Sequence, residues 1–240
     1  MNWADELCLR RANWHQEKAM YDAGHGPDPG QKPGALHSRY AHTQVKAALE
    51  AMFGTKCAYC EGEIHATGYA HVEHYRPQSI YPLLAYDWHN LLQGCGRCNG
   101  IGGKGDKFPV LPHGRTLTEH KQHPNSRTDN DDPILIDPCR EDPALSLTFR
   151  GARVVALNNR GKRSREIYGL QREALLDDRR RVLRGVHLAL KSFLTARHRK
   201  DFVEARRYRV ALKEMVDSSQ PYAGMVRVAI TNQGIDWTRL

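Results

Sequence analysis

Four cysteines arranged as two Cys-x-x-Cys pairs are the residues best suited to chemistry in this sequence of 240 residues. The first pair is Cys57 and Cys60, and the second pair is Cys95 and Cys98. Two residues between thiolates allow one tight turn to bring both sulfurs to a single metal ion, and this paired spacing is a strong metal signal. The sequence therefore predicts a structural zinc ion bound by all four thiolates.

A cluster of polar residues accompanies the two pairs. Glu73, His74 and Asn90 lie between them, and Asn99 directly follows the last cysteine. A histidine suits the role of general base near neutral pH because its unperturbed pKa is about 6.5. A hard cation such as Mg²⁺ or Mn²⁺ prefers oxygen ligands, and Glu73 and Asn99 each offer one. The set indicates phosphodiester hydrolysis, with Asn90 either orienting the His74 ring or fixing the loop beneath it.

Each of these residues also has an ordinary structural interpretation. His74 could be a structural histidine or an extra zinc ligand, Glu73 a surface charge, and Asn99 a helix cap. His71 shares a strand face with Glu73 and could join the metal site, although structural support is the preferred interpretation. Strand alternation sends Glu73 and His74 to opposite faces. The strand must therefore end or twist near Pro77 for both side chains to reach one phosphate.

The elements that must position this cluster follow from sequence periodicity. A helix is predicted from Ala41 to Met52, with Ser38 as its cap and Gly54 as its end, and residues 3–21 indicate another helix. Residues 24–34 are rich in glycine and proline and predict a loop.

The cysteine-rich stretch itself predicts two short strands and a helix. Residues 68–74 read as a strand, and Asp87 caps a helical turn through Trp88, Asn90 and Leu91. A further turn or helix is expected to begin at Asn99. Two strands, a turn and a helix locked by one zinc ion make a ββα unit.

The second half of the chain changes from irregular to helical. Residues 109–143 lack apolar periodicity, apart from a short strand predicted at 134–136. Strands are predicted at 145–149 and 154–157, followed by a turn at 158–161. Apolar spacing then predicts one long helix or two abutting helices over 164–199, a helix over 202–215, and a last helix from Pro221 to Gly234.

The composition favours a polyanionic partner. The chain has 36 Lys and Arg against 27 Asp and Glu, a formal net charge of +9, and nucleic acid is the default candidate for such a surface. The basic residues near the cluster that are expected to contact phosphate are Arg76, Arg97, Lys104 and Lys107. Arg179, Arg180 and Arg181 are read instead as a solvated face or partner surface.

Compartment and domain organisation complete the sequence-based expectations. No stretch is long and apolar enough to predict a transmembrane helix, and the acidic N-terminus does not resemble a signal peptide, so a cytoplasmic protein is expected. The fold class predicted is α+β. Four segments are expected: an N-terminal helical segment (1–54), a zinc-bound core (55–110), an irregular segment with short strands (111–160) and a helical C-terminal region (161–240).

The order of these residues resembles the zinc-stapled HNH (ββα-metal) nucleases. The resemblance rests on Glu73-His74, Asn90, Asn99 and both cysteine pairs, over about fifty residues. It implies that His74 is the general base, that Glu73 and Asn99 hold a catalytic Mg²⁺ or Mn²⁺, and that Asn90 is the middle asparagine. The family more often has Asp at the position of Glu73 and often His at that of Asn99, which affects the metal preference.

A wider resemblance involves the HNH subunit of the Septu-type defence nuclease. It rests on Lys56 to Glu61, His71 to Pro77, Ile134 to Pro138 and the basic helical half. The resemblance implies an ATPase partner, foreign DNA as the target and relatives in retron anti-phage systems. A zinc-stapled adaptor that binds nucleic acid or protein and cuts nothing is the alternative.

Overall fold

The structure is a computed structural model that describes residues 39–64, 70–81, 84–85, 87–100, 102–111 and 132–240. The helix expected at residues 3–21, the loop at 24–34 and the cap at Ser38 lie outside the described residues. The described residues form two compact units. One contains residues 39–54, most of 70–111 and 132–133, and the other contains 55–64 and 134–240.

The first unit contains the predicted strand–turn–strand–helix sequence. After a 3₁₀ turn at Arg39–Ala41, helix α1 spans Thr43–Phe53, strand β1 spans His71–His74, a 3₁₀ turn spans Trp88–Asn90, strand β2 spans Leu91–Gly94 and helix α2 spans Gly96–Asn99. The side chain of Asp87 accepts a hydrogen bond from the backbone N–H of His89, which confirms the predicted cap. Helix α1 is capped by His42 and ends at Gly54, whose φ of 62° favours glycine.

Strands β1 and β2 pair in the antiparallel direction. His71 lies opposite Gly94, and His74 lies opposite Leu91. A small apolar core behind the pair is formed by Val45, Leu49, Val72, Ala85 and Leu91, which are all buried. The Gln93 amide donates a 2.7 Å hydrogen bond to the carbonyl of Gly54 and ties β2 to the end of α1.

Helix α2 begins earlier than the sequence predicts. Its first residue is Gly96, whereas the prediction placed the start at Asn99, which is in fact the last residue of the helix. The carbonyl of Cys95 accepts hydrogen bonds from the backbone N–H groups of Cys98 and Asn99, both at 3.0 Å. The turn that carries the second cysteine pair is therefore helix α2 itself, and Asn99 lies at the C-terminal end of that helix.

The second unit begins with a turn around the first cysteine pair, where Lys56 bridges Glu63. Its hairpin consists of strand β3 (Leu147–Arg150) and strand β4 (Arg153–Ala156), which pair in the antiparallel direction. The helices are α3 (Asn159–Ile167), α4 (Glu173–His198), α5 (Phe202–Met215) and α6 (Ala223–Thr231), followed by a 3₁₀ turn at Trp237–Arg239. The expected helices over 164–199 and 202–215 are confirmed, the former as α3 and α4.

Two sequence predictions about this unit are wrong. Residues 158–161 begin helix α3 instead of forming a turn, because the Asn158 side chain accepts a hydrogen bond from the backbone N–H of Gly161 and caps the helix. Residues 134–136 form no strand. The preceding residue, Pro133, forms an isolated β-bridge with Val110. The backbone N–H of Ile136 donates to the Ser164 hydroxyl and not to a neighbouring strand.

Helices α4, α5 and α6 of the second unit pack around one apolar core. Val186, Leu190 and Phe193 of α4 meet Leu212 of α5 and Ile230 of α6 in this core. Fold class is confirmed as α+β, with two small sheets and a mainly helical C-terminal half. Among the residues that the structure describes, no helix combines the length and the apolar character needed to cross a membrane.

Candidate active site

The four cysteines of the two pairs come together. Their sulfur atoms all lie within 4.8 Å of one another, and none of the four residues is more than 9% exposed. The sulfurs of a tetrahedral zinc site lie about 3.8 Å apart, as Zn–S bonds of about 2.3 Å require. No disulfide joins the cysteines of the described residues. Four converging, buried thiolates are the soft donor set that zinc prefers, so this cluster could hold the predicted structural ion.

The backbone around the first pair is arranged as a tight turn. The N–H of Cys57 donates to the carbonyl of Gly62 at 3.0 Å, and the N–H of Glu61 donates to the carbonyl of Cys57 at 2.9 Å. Glu61 has a φ of 58°, a left-handed conformation that closes the turn. These bonds hold the backbone of the turn that carries both cysteines.

Two arginines of the second unit lie close to this turn. Nη2 of Arg172 is 3.5 Å from the sulfur of Cys60. Arg179 is almost fully buried, donates a 2.7 Å hydrogen bond to the carbonyl of Leu170, and lies 5.5 Å from the ring centroid of Tyr222. Burial lowers the pKa of Arg179, whereas nearby Cys60 raises it. Positive charge beside Cys60 compensates the negative charge of thiolates.

The expectation of a solvated arginine face at 179–181 therefore holds for two of its three residues. Arg180 and Arg181 are exposed and form ion pairs with Asp177 and Asp178 at 2.6 and 3.0 Å. Arg179 is the correction. Its position on the apolar face of α4 turns it inward, where aromatic rings and a backbone carbonyl replace water around the guanidinium.

His74 lies at the end of β1 and is 7% exposed. Its Nε2 is 2.8 Å from the backbone carbonyl oxygen of Ala85, and the ring of Tyr40 packs edge-on against it, with 4.5 Å between centroids. Burial lowers the pKa of His74 to about 4, the Ala85 carbonyl opposes this change, and Lys104 adds to it. The imidazole is therefore neutral at pH 7, and a carbonyl neighbour requires the proton on Nε2.

Glu73 is 4% exposed and is paired with a buried lysine. The ammonium of Lys104 donates to Oε1 of Glu73 and to the carbonyl of His74, both at 2.7 Å. Lys104 itself is fully buried. Burial lowers the pKa of Lys104, and Glu73 opposes that change. The pair places one positive charge in contact with the carboxylate to which the sequence assigns metal binding.

Glu73 and Asn99 both lie close to Gly94. A methyl group built on Gly94 would be 3.2 Å from Cβ of Glu73 and 3.7 Å from Cβ of Asn99. The missing side chain of Gly94 thus lets a carboxylate and an amide begin from neighbouring positions. Oxygen donors of these two kinds are those that Mg²⁺ and Mn²⁺ prefer, so these two side chains could serve as ligands of the predicted catalytic ion.

His71 is the first residue of β1 and lies two residues before Glu73. Its side chain is exposed, and Nε2 is 3.5 Å from the position of a methyl group built on Gly96. His71 pairs with Gly94 across the two strands. The residue is therefore near the entrance to helix α2 and on the strand face of Glu73.

Asn90 holds the loop that joins the two strands. Its Oδ1 accepts a 2.7 Å hydrogen bond from the backbone N–H of Arg76, and its Nδ2 donates to the carbonyls of Arg76 and Leu84 at 3.0 and 3.2 Å. Leu84 directly precedes Ala85, the residue whose carbonyl contacts His74. Asn90 therefore fixes the loop beneath the imidazole, which is one of the two geometries considered for it.

The basic residues expected to contact phosphate have different environments. Arg97 and Lys107 are exposed, and the ammonium of Lys107 donates to the carbonyl of Gly103 at 2.8 Å. Arg76 is half-buried, with its guanidinium 5.3 Å from the ring centroid of Tyr81. Lys104 is enclosed against Glu73, so its placement does not offer the ammonium to an external phosphate.

Gly103 makes the position of Lys104 possible. A methyl group on Gly103 would lie 2.3 Å from the carbonyl oxygen of Cys98 and 2.5 Å from that of Arg97. The chain therefore crosses the end of α2 in contact with its backbone, and the N–H of Lys104 donates to Cys98 at 2.8 Å. Only a glycine permits this approach.

Sequence reasoning missed three components of this site. The carbonyl of Ala85 has no sequence signal, because any residue supplies a backbone acceptor. Lys104 was expected to contact phosphate and not Glu73, since charge in a sequence does not reveal burial. Gly94 had a weak signal, as a glycine that ends a strand and precedes the second cysteine pair, where a close approach is common.

Comparison with known proteins identifies two curated relatives. The chain is 30% identical over 165 residues to "Septu protein PtuB" of Bacillus mycoides (strain KBAB4), an alignment that covers 62% of this chain and 54% of the relative. It is 40% identical over 78 residues to "Septu protein PtuB" of Bacillus thuringiensis, covering 31% of this chain and 30% of the relative. The matched region is thus about half or less of either relative.

No protein-family model matches the chain, and no solved structure matches it. The resemblance to a Septu-type protein that the sequence indicates is confirmed by the two relatives. Together with the four-cysteine cluster, they fit a PtuB-like protein built around a zinc site.

Proposed function

We propose that this chain is a metal-dependent HNH endonuclease that hydrolyses phosphodiester bonds in DNA. The proposal is carried by one arrangement. The imidazole of His74, anchored on the Ala85 carbonyl, directly follows Glu73, and both Glu73 and Asn99 lie close to Gly94. A base and two oxygen ligands are the groups that this hydrolysis requires. The net charge of +9 supports a polyanionic substrate.

His74 acts as the general base in this proposal. Its Nε2–H donates to the Ala85 carbonyl, so Nδ1 carries the lone pair that accepts a proton from water. The carbonyl also stabilises the imidazolium that results, because it is a dipole directed at the charged ring. Asn90 serves as a positioning residue that holds the loop bearing this carbonyl.

Glu73 and Asn99 hold the catalytic cation in this proposal. Neutralisation of the phosphate and of the leaving oxygen is the chemistry that a bound Mg²⁺ or Mn²⁺ supplies. Lys104 orients the carboxylate through Oε1, and Gly94 leaves room for both ligands. The four thiolates hold a separate zinc ion with a structural role, since a set of four thiolates leaves zinc no open position for substrate.

The biological setting is proposed from the relatives and the resemblance. Both relatives carry the name Septu protein PtuB, and the resemblance to that type of nuclease implies anti-phage defence, an ATPase partner and foreign DNA. We extend these properties to this chain and place its work in the cytoplasm, where phage DNA is found.

One observation favours the alternative of a zinc-stapled binding module. The ion pair between Lys104 and Glu73 compensates the carboxylate without a metal, as a purely structural pair would do. Such a module would bind nucleic acid or a protein and would show no response to divalent cations.

A nicking assay with matched histidine variants tests the proposal. Supercoiled plasmid is incubated with wild-type protein, His74→Gln or His89→Ala, with Mg²⁺, with Mn²⁺ or with neither. His89 is the control because it is an exposed histidine on the adjacent 3₁₀ turn. We expect cation-dependent nicking, a loss of about 100-fold or more in His74→Gln, and little change in His89→Ala.

Binding of Mn²⁺, followed by electron paramagnetic resonance, tests the ligand assignment without requiring cleavage. The wild type should bind a Mn²⁺ ion that the Glu73→Gln/Asn99→Ala variant does not bind, with equal zinc content in both proteins. Wild-type nicking by His74→Gln, or equal Mn²⁺ binding by the double variant, would contradict the assigned roles. Absence of both Mn²⁺ binding and nicking, with or without an ATPase partner, would favour the binding module.

A further inference from the structure

A groove lined by arginines lies within the helical part of the second unit. It has a volume of about 650 Å³ and is formed by the end of α4, one face of α5 and the C-terminal 3₁₀ turn. Its principal side chains are Phe193, Arg197, Phe202, Arg206, Arg209 and Arg239. Ligand pockets in proteins have volumes of this order.

The groove has an apolar floor and a basic rim. Ala205 and Leu240 are buried in its floor. Phe202, Arg206 and Arg209 recur on α5 at helical spacing, so they share the face that borders the groove. Phe202 is 75% exposed, an unusual position for a large aromatic ring.

The charge of the groove is strongly positive. Four arginines line it together with one acidic side chain, that of Asp236, which pairs with Arg239 at 3.1 Å. No ion pair joins Arg197, Arg206 or Arg209 to a carboxylate within the described residues. Nη2 of Arg209 donates to the carbonyl of Arg239 at 3.4 Å, and the guanidinium of Arg197 lies 5.7 Å from the ring centroid of Phe193. Three guanidinium groups of the described residues thus line one cavity without an ion pair to an acidic side chain.

We infer that this groove binds a nucleoside phosphate unit with an accessible base, either within single-stranded nucleic acid or as a free nucleotide. Guanidinium forks match the geometry of phosphate oxygens. An exposed aromatic ring beside them offers a surface on which a base can stack, and this combination is typical of single-strand binding. A carboxylate-rich peptide would use the arginines but would not require Phe202.

The inference stands apart from the nuclease proposal, because it concerns binding and not cleavage. It assigns a ligand to side chains of α4, α5 and the C-terminal turn, none of which contributes to the site around His74. Measurements without Mg²⁺ or Mn²⁺ keep the two proposals separate, and a failure of one leaves the other unchanged.

Fluorescence anisotropy of a labelled oligothymidylate, roughly ten nucleotides long, tests the inference. The test variant is Arg206→Gln/Arg209→Gln. The matched control is Arg180→Gln/Arg181→Gln, which removes the same charge from exposed positions on α4 that already have acidic partners. We expect affinity to fall about tenfold or more in the test variant and about threefold or less in the control.

Salt dependence and the aromatic ring give independent readouts. Each lost phosphate contact should reduce the slope of log affinity against log salt by about 0.7. Phe202→Ala should weaken binding about tenfold while leaving that slope unchanged, because stacking involves no counterion release. Thermal unfolding and zinc content verify that each variant is folded.

Competitors distinguish the two sources of the ligand from other anions. Thymidine monophosphate and unlabelled oligothymidylate are compared as competitors at equal concentrations of nucleotide. Similar displacement by both indicates a site for a free nucleotide, whereas displacement by the oligonucleotide but not by the mononucleotide indicates binding of a strand. Both outcomes support the inference. Equal losses in the two arginine variants, displacement by polyglutamate as efficient as that by the strand, or equally tight binding of duplex DNA would overturn it.

Discussion

Replacement of Lys104 by methionine tests the buried charge pair at the centre of the candidate active site. Lys104 is fully buried and Glu73 is 4% exposed, with 2.7 Å between the ammonium and Oε1. Lys104→Met retains the length of the side chain but leaves the carboxylate without its positive partner. Removal of one member of a buried ion pair typically costs about 3–5 kcal/mol, because the other charge remains desolvated.

The double variant Glu73→Leu/Lys104→Met separates the charge pair from simple packing. Loss of both charges removes the unpaired carboxylate, so most of the cost of Lys104→Met should be recovered. The carbonyl of His74 still loses its donor. A residual loss of about 1–2 kcal/mol is therefore expected relative to the wild type. Lys107→Met is the control, since this nearby lysine is exposed and should change stability by less than about 1 kcal/mol.

Urea unfolding measured through one tryptophan gives the required free energies. Trp88 packs against the core of the first unit, so the other three tryptophans are replaced by phenylalanine and its fluorescence reports that unit. The expected order of stability is wild type, double variant, then Lys104→Met. A single variant within about 1 kcal/mol of the wild type, or a double variant no more stable than the single one, would refute the electrostatic account.

Three further predictions follow from the same site. Because burial lowers the pKa of His74 from 6.5 to about 4, the unfolded chain binds a proton between these values and the folded chain does not. The free energy of unfolding should fall by about 3 kcal/mol as pH drops through that window. Urea titrations should show that the free energy of unfolding of His74→Gln depends less steeply on pH. Identical slopes in the two proteins would exclude titration of His74 as the cause. Gly94→Ala should displace Glu73 and weaken Mn²⁺ binding about tenfold by calorimetry, whereas Gly102→Ala, with nothing within 4 Å, should not. Arg172→Gln should speed transfer of zinc to a chelator about tenfold, since it loses the contact to a cysteine sulfur; an unchanged rate would remove that role.

Elements determined by local patterns were predictable from the sequence. Helix α5 occupies the residues expected for it, because Asp201 caps a run with clear apolar periodicity. The turn at Trp88–Asn90 follows from Asp87 in the same way. Asn158 was misjudged because asparagine favours both turns and helix caps, and the hydrogen bond to Gly161 that decides between them depends on the fold.

The candidate site was predictable in composition but not in environment. Spacing identified the cysteines, Glu73, His74 and Asn99, since those residue types carry recognisable chemistry. The enclosure of Lys104, the inward turn of Arg179 and the contact of Ala85 with the imidazole arise from tertiary packing. Burial and backbone acceptors leave no mark on residue identity, so only the structure reveals them.

The close passage of the chain at Gly103 has a consequence for genetic variation. Any side chain at this position would push the backbone around residue 103 away from the end of α2, and this shift would move Lys104 away from Glu73. A residue without a side chain thereby governs the electrostatics of a centre to which it contributes no functional group. Random libraries should therefore lose activity through substitutions of this glycine as well as of the acid and the histidine, and inspection of polar residues alone would overlook it.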